Sequence, residues 1–416
     1  MAQLSDDCFA FGGALMPVDE ALSIVTQRLA AVEGVERVSL HEADNRILAE
    51  PLNAPVPLPL FMNSAVDGYA IASADLPQDG PRSFTISQRV TAGAVASPLA
   101  KGSVARIFTG APMPEGADTV FMQEDVELNG DHVILPPGLK PRANMRPAGE
   151  DIAQGALALP AGTRLRPQHV ALAAALGLTE LNVRRRIKVA IFSTGNEVVA
   201  PGAARTSAQL YDSNRFMLAA LLRRLGCAVS DLGILRDDRA SLSAGLKQAA
   251  KDHDLILTSG GVSTGEEDHV RAAVEAAGSL VLWRMGIKPG RPVAMGVIDG
   301  TAFIGLPGNP VASFVTFAYV VRPAVLALSG ARVDKPVALP VRANFAYKKK
   351  KGRREYVRAS LMVLEDGTRV AQKFPREGAG LLSSLCETDG LVELADDCEG
   401  VKPGDAVAFI AYPSLF

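Results

Sequence analysis

Apolar residues near the start fall at Val18, Ala21, Leu22, Val25 and Leu29, the spacing of one helix face, with Pro17 at a plausible first-turn position. The pattern predicts an opening amphipathic helix. Pro51, Pro55, Pro57 and Pro59 follow within nine residues, where no helix or central strand can continue, so a boundary is expected near residue 60. From there to about residue 140, short apolar or alternating stretches at 84–90, 103–108, 119–122 and 132–135 are separated by Gly, Pro and Asp clusters. That is the pattern of a small β-rich unit. Residues 167–177 read as a compact helix with proline at its start and glycine at its end.

From Arg186 onward, strand runs at 189–192, 228–232, 255–258, 293–297 and 301–305 are interleaved with helical patterns at 214–225, 242–251, 269–277 and 311–328. This predicts a doubly wound α/β domain of mostly parallel strands. After Gly330 the helical period stops. Short strands at 337–341 and 406–411 suggest a small terminal β-barrel or sandwich.

At 416 residues the chain is too long for one core, which makes it a multidomain protein. Its hydrophobic content of 48%, charged content of 21% and net charge of −2 argue against disorder and against nucleic acid as the main partner. Residues 1–13 lack the basic and apolar regions of a secretory signal. The most membrane-like stretch, 311–328, is interrupted by Arg322 and Pro323, which predicts a buried helix and no membrane association. Cys8, Cys227, Cys386 and Cys398 form no C-x-x-C pair and no zinc spacing, so a reducing cytoplasm fits.

Candidate chemistry gathers at the carboxyl ends of the predicted α/β strands, where open sheets bind small ligands. One strand ends in Ser193-Thr194-Gly195-Asn196-Glu197. A second runs into Ser259-Gly260-Gly261-Val262-Ser263-Thr264-Gly265-Glu266-Glu267-Asp268, whose glycines expose N–H groups ahead of a helix and so suit a phosphate or oxyanion. A third ends in Gly305-Leu306-Pro307-Gly308-Asn309-Pro310, a stiffer wall because two prolines remove donors. Asp237, Asp238 and Asp268 are oxygen ligands of the kind Mg²⁺ uses beside phosphates, and equally good helix N-caps.

Ile287-Lys288-Pro289-Gly290-Arg291-Pro292 sets two cations before a strand, suiting a multiply charged anion, with solvated charge as the plainer reading. Tyr211-Asp212-Ser213-Asn214 opens a helix, and capping alone explains it. Residues 348–354 hold six cations in seven positions, which reads as a solvated hairpin or as attraction of an anion to a nearby cleft. Asn63-Ser64-Ala65-Val66-Asp67-Gly68-Tyr69-Ala70 and Thr109-Gly110-Ala111-Pro112 are dense in turn-forming residues. No Ser/His/Asp triad or His-rich metal cluster stands out.

These motifs, taken in order with Gly149-Glu150-Asp151-Ile152 and Gly378-Ala379-Gly380-Leu381-Leu382-Ser383-Ser384-Leu385, closely resemble the molybdopterin molybdenumtransferases, the MoeA family, which includes the C-terminal half of gephyrin. The resemblance runs from about residue 15 to the C-terminus. It implies an insertase that takes adenylated molybdopterin and molybdate and releases AMP with Mg²⁺. It also implies a cytoplasmic homodimer served by a molybdopterin adenylyltransferase and serving apo-molybdoenzymes or cofactor carriers. Its four domains would be a discontinuous N-terminal domain of residues 1–59 and 141–182, an inserted β-rich domain of 60–140, a molybdopterin-binding α/β domain of 183–330 and a C-terminal β-barrel of 331–416.

Carried over, Glu197, Asp237 and Asp268 would bind Mg²⁺, and Lys288 would join them in catalysis. Ser259, Gly260, Gly261, Ser263 and Gly265 would hold the pterin-linked phosphates. Pro307, Pro310, Arg353, Ser383 and Ser384, with Lys288, would surround molybdate or the dithiolene. Asp67, Thr109, Arg146 and Asp151 would come from the other subunit. Arg284 departs from the pattern, standing where many members have a second lysine. Alternatives are a molybdopterin adenylyltransferase, which is a shorter stand-alone domain, and a non-enzymatic pterin-binding scaffold.

Overall fold

The computed structural model describes residues 15–235, 238–260 and 269–416. A six-stranded sheet lies at its centre, in the order Ala228–Leu235, Lys188–Thr194, Leu255–Ser259, Thr301–Leu306, Pro292–Ile298 and Gly278–Arg284. The first four strands run parallel, and each of the last two runs antiparallel to its neighbours. Val189, Ile191, Leu255, Leu257 and Ile304 face one side, while Ala190, Phe192, Ile256 and Phe303 face the other, as strand alternation requires. Both faces are covered. Helices Asn214–Arg224 and Pro310–Leu328 pack on the first, and Arg239–Asp252 and His269–Ala277 on the second.

The five expected strands are present, but Gly278–Arg284 was not legible. The helix His269–Ala277 passes directly into it with no loop residues between. A Cβ on Gly278 would lie 1.8 Å from the Val297 carbonyl oxygen, so the two backbones meet closely at that point.

Helix Pro310–Leu328 is long and apolar enough to cross a membrane, yet it is mostly buried inside the molecule. Arg322 and Pro323 do not end it. A wider π turn at Phe317–Val321 immediately upstream accommodates the proline ring and its missing donor. Helix Val18–Arg28, expected within the N-terminal unit, lays Val18, Ala21 and Val25 into this same core.

Two distant segments build the N-terminal unit. Val35–Ser39 pairs with Glu180–Arg184, Leu52–Asn53 with Leu157–Leu159, and Leu58 bridges Ile152. Between departure and return the chain forms a six-stranded sheet in the order Thr119–Met122, Gly68–Ile71, Ser103–Ile107, Arg82–Val90, His132–Leu135 and Glu127–Asn129.

The C-terminal strands Arg354–Val363, Arg369–Lys373, Leu339–Ala343, Ala406–Ala411 and Gly390–Leu394 close on themselves, because the last pairs back with the first. Closure makes a barrel around Val341, Val357, Val392 and Phe409. One short strand from the α/β unit, Ile287–Lys288, adds in parallel to Arg354–Val363, with Lys288 opposite Glu355. That pairing fixes the barrel against the edge of the sheet where the candidate loops lie.

Candidate active site

Three loops leave the carboxyl ends of the parallel strands Lys188–Thr194, Leu255–Ser259 and Thr301–Leu306. The loop 289–291 enters Pro292–Ile298, and because that strand runs in reverse, the loop before it reaches the same edge. One reversed strand therefore brings cations to a cradle made by parallel ones. The barrel forms the opposite wall of a cleft of ≈ 690 Å³.

Of the residues chosen from sequence, Glu197, Gly260, Lys288, Pro307 and Arg353 line this cleft. Lys288, Arg291, Arg353, Arg358, Lys373 and Arg376 stand there against the carboxylates of Glu197 and Glu377. The excess of cations suits a multiply charged anion.

The loops are held by specific contacts. Gly260 has φ +91°, donates to the Leu306 carbonyl at 3.0 Å, and leaves only 3.1 Å between a Cβ and the Thr194 oxygen. Asn214 Nδ2 donates to Ser259 Oγ at 2.8 Å and to the Gly308 carbonyl at 2.7 Å. Capping alone therefore does not account for the Tyr211-Asp212-Ser213-Asn214 motif. Ser213 makes no side-chain cap, and Asp212 receives the Arg215 backbone N–H at 3.2 Å and its Nε at 2.8 Å. Arg215 in turn reaches Asp231. Ser313 Oγ donates to the Pro307 carbonyl at 2.9 Å, and Pro310 begins the helix behind it.

The Lys288 ammonium donates to the Tyr347 hydroxyl at 3.0 Å and to Glu355 Oε2 at 3.1 Å. Burial alone would lower its pKa, but these two partners outweigh burial and hold it above the usual lysine range. Tyr347 donates to Glu355 Oε2 at 2.7 Å, and Arg353 Nε donates to Glu355 Oε1 at 2.7 Å. Burial pushes the Glu355 carboxyl up, yet Tyr347, Lys288 and Arg353 together keep it below the usual range. On the neighbouring wall, Arg358 donates to Ser384 Oγ and the Gly378 carbonyl, each at 3.1 Å. No carboxylate among the described residues pairs with it, and burial pushes its pKa down. Ser384 is buried behind Arg358, and Ser383 is exposed at the start of helix Ser383–Cys386; neither lines the cleft.

Glu355, Tyr347, Arg358 and the anchoring role of Asn214 were missed. A signal existed for Glu355, since it sits two residues after Arg353, which immediately precedes the strand, at the spacing that puts side chains of an extended chain on one side. The cationic run is not a solvated hairpin throughout. Lys349 is buried and donates to the carbonyls of Lys350, Asp396 and Cys398, while Arg354 pairs with Asp19, Glu393 and Asp396.

Asp237, Gly261, Ser263, Gly265 and Asp268 lie outside the described residues. Asp238 caps helix Arg239–Asp252 by accepting from the Ser241 N–H at 2.9 Å, as the plainer reading expected. Glu197 lines the cleft, and among the described residues no group of three or more His, Cys, Asp or Glu side chains gathers to hold a metal ion. The Glu197 carboxylate folds over Gly195, where a Cβ would lie 2.5 Å from Oε2.

Asp67, Thr109, Arg146 and Asp151 do not line the cleft of their own chain. Asp67 Oδ1 accepts both the N–H and hydroxyl of Thr109 at 2.8 Å, which holds its carboxyl below the usual range. Arg146 lies opposite Asn63, which also bridges Pro112, so Arg146 belongs to the same end of the β-rich unit. Asp151 follows nearby, its N–H bonded to the Leu58 carbonyl.

Comparison with known proteins decides the family. Residues 16–177 match the model for the MoeA N-terminal region (domain I and II), 190–327 a probable molybdopterin binding domain, and 340–412 the MoeA C-terminal region (domain IV). A molybdopterin molybdenumtransferase from Haemophilus influenzae is 37% identical, covering 96% of this chain and 100% of the relative. Another from a Nostoc species is 33% identical over 93% of this chain and 91% of the relative. The chain belongs to the MoeA family of molybdopterin molybdenumtransferases. MoeA likeness extends to three dimensions: a crystal structure of a molybdopterin biosynthesis MoeA protein from Pyrococcus horikoshii superposes with a TM-score of 0.81 at 30% identity, covering 96% of this chain and 100% of that one.

Proposed function

We propose that this MoeA-family chain inserts molybdenum from molybdate into adenylated molybdopterin, with AMP released and Mg²⁺ required. The observation that carries this reading is the cleft between the α/β edge and the barrel, where Lys288, Arg353 and Arg358 converge with the Gly260 and Pro307 loops. Molybdate is a dianion and the adenylate carries phosphates, so binding both needs fixed positive charge more than a protein nucleophile. Lys288 and Arg353 supply it at one wall, and Arg358 at the neighbouring one. The Ser259-Gly260 segment, with Gly261, Ser263 and Gly265 beyond it, would hold the pterin-linked phosphates. Pro307, with Pro310 behind it, would shape the molybdate and dithiolene end, and Ser384 would support that end through Arg358.

Glu197, Asp237 and Asp268 would hold Mg²⁺, which when bound would neutralise the phosphoanhydride and the leaving AMP. Asp67, Thr109, Arg146 and Asp151, which do not reach the cleft of their own chain, would complete the site of the partner in a homodimer. The protein would work in the cytoplasm, receiving its substrate from a molybdopterin adenylyltransferase and passing its product to apo-molybdoenzymes or cofactor carriers.

Asp268→Asn tests the metal assignment. The variant is expected to stay folded and bind pterin while losing Mg²⁺-dependent turnover. Normal AMP release by it would remove Asp268 from the mechanism.

A further inference from the structure

Glu355 is the most deeply buried charge at the cleft, its side chain 1% exposed, while the Lys288 side chain it pairs with is 42% exposed. A carboxylate in that position must be fully compensated, and it is: Oε1 takes the Arg353 guanidinium, and Oε2 takes both the Lys288 ammonium and the Tyr347 hydroxyl. With both oxygens engaged, it is placed neither to ligate a metal nor to take a proton. What it touches is revealing, because Lys288 and Arg353 come from different units of the fold. The parallel pairing of Ile287–Lys288 with Arg354–Val363 puts Glu355 directly opposite Lys288, so one carboxylate spans the joint between sheet and barrel.

We propose that Glu355 is a positioning residue for the oxyanion substrate: it clamps Lys288 and Arg353 at a fixed separation and aim, forming a two-cation fork for a tetrahedral dianion. This rests on the molybdate reading above. Two long cationic side chains left to themselves repel each other and sample many rotamers, and ordering them on arrival of the anion would cost binding energy. The carboxylate removes both problems before substrate arrives. It reduces the net charge of the Lys288, Arg353 and Tyr347 group from +2 to +1, so it weakens bulk attraction for anions while improving geometry. The two effects have opposite signs, and that makes the role separable from simple charge balance.

The test is the molybdate dependence of AMP release under anaerobic conditions, with adenylated molybdopterin saturating, in the wild-type protein and in Glu355→Gln. A glutamine amide offers one oxygen and one NH₂ group, so a donor must face either Arg353 or the Lys288–Tyr347 pair. The half-saturating molybdate concentration is expected to rise about tenfold, the size of one charge-assisted hydrogen bond, with the maximal rate and pterin affinity little changed. In a Lys288→Ala background the same substitution should add less than the roughly tenfold it adds alone, because only Arg353 then remains to be aimed. An unchanged or lowered half-saturation in Glu355→Gln overturns the inference, since relief of negative charge alone would tighten the anion. Absence of molybdate dependence in the wild type would instead overturn the functional reading, and the inference with it. Should Glu355→Gln fail to fold, Tyr347→Phe serves: it keeps every charge, removes one partner of the clamp, and should raise the half-saturation about threefold. No change there would equally sink the proposal.

Discussion

Asn214 holds Ser259 from across the sheet edge, its amide nitrogen 2.8 Å from the serine hydroxyl, and the same nitrogen reaches the Gly308 carbonyl at 2.7 Å. One side chain thereby fixes the start of the serine-glycine loop against the proline-rich wall. Asn214→Ala leaves a buried hydroxyl and a part-buried carbonyl without this partner and is expected to cost about 2 kcal/mol of unfolding free energy. Denaturant titration checks the stability. Because both loops lose a common anchor, turnover should fall by more than the loss of folded protein accounts for.

Gly290 lies in the loop between Lys288 and the reversed strand, with φ +111°, and a Cβ there would approach Thr316 Oγ1 to 2.3 Å. Gly290→Ala combines backbone strain with overpacking against helix Pro310–Leu328. It is expected to cost about 3 kcal/mol and to raise the molybdate requirement by displacing Lys288. Thermal melts and a molybdate titration read the two effects separately.

Much of this was legible in the chain, for identifiable reasons. Strand runs such as 189–192 and 255–258 are apolar on both faces because helices cover both, and the loops after them carry the glycines and prolines that mark the ligand edge. The hidden parts depend on distant partners. Strand Gly278–Arg284 has no turn before it, and Glu355 became meaningful only when Ile287–Lys288 was seen to pair with the barrel. Arg358 and Ser384 likewise lie 26 residues apart and meet only in the folded wall.

Asp19 ties the first helix to the barrel through Arg354 at 2.8 Å and to Lys335 at 2.9 Å. Hydrogen bonds from Arg354 first and Lys335 second lower its pKa from the model-peptide value of 3.8 to about 2. A depressed carboxylate pKa stabilises the fold above the unfolded value, and the contribution is lost as pH falls from about 4 to about 2. Half of the Asp19 side chain is exposed, so solvent screening limits the contribution to about 1 kcal/mol. Asp19→Asn should be less stable by that amount at neutral pH and should converge with the wild type near pH 2. A constant difference across that window would exclude the linkage.

Lys288→Ala removes a cation from the cleft and the partner of a buried carboxylate. The molybdate concentration giving half-maximal AMP release is expected to rise at least about tenfold, with a smaller effect on pterin binding. An unchanged dependence would place Lys288 outside the anion site.

The most direct measurement is anaerobic incubation of the purified protein with adenylated molybdopterin, Mg²⁺ and molybdate, following AMP release together with activation of a cofactor-free molybdoenzyme. Insertion at this cleft predicts AMP release that depends on molybdate and accompanies activation. Binding of the pterin without molybdate-dependent AMP release would contradict it and mark the chain as a carrier that keeps the fold without the chemistry.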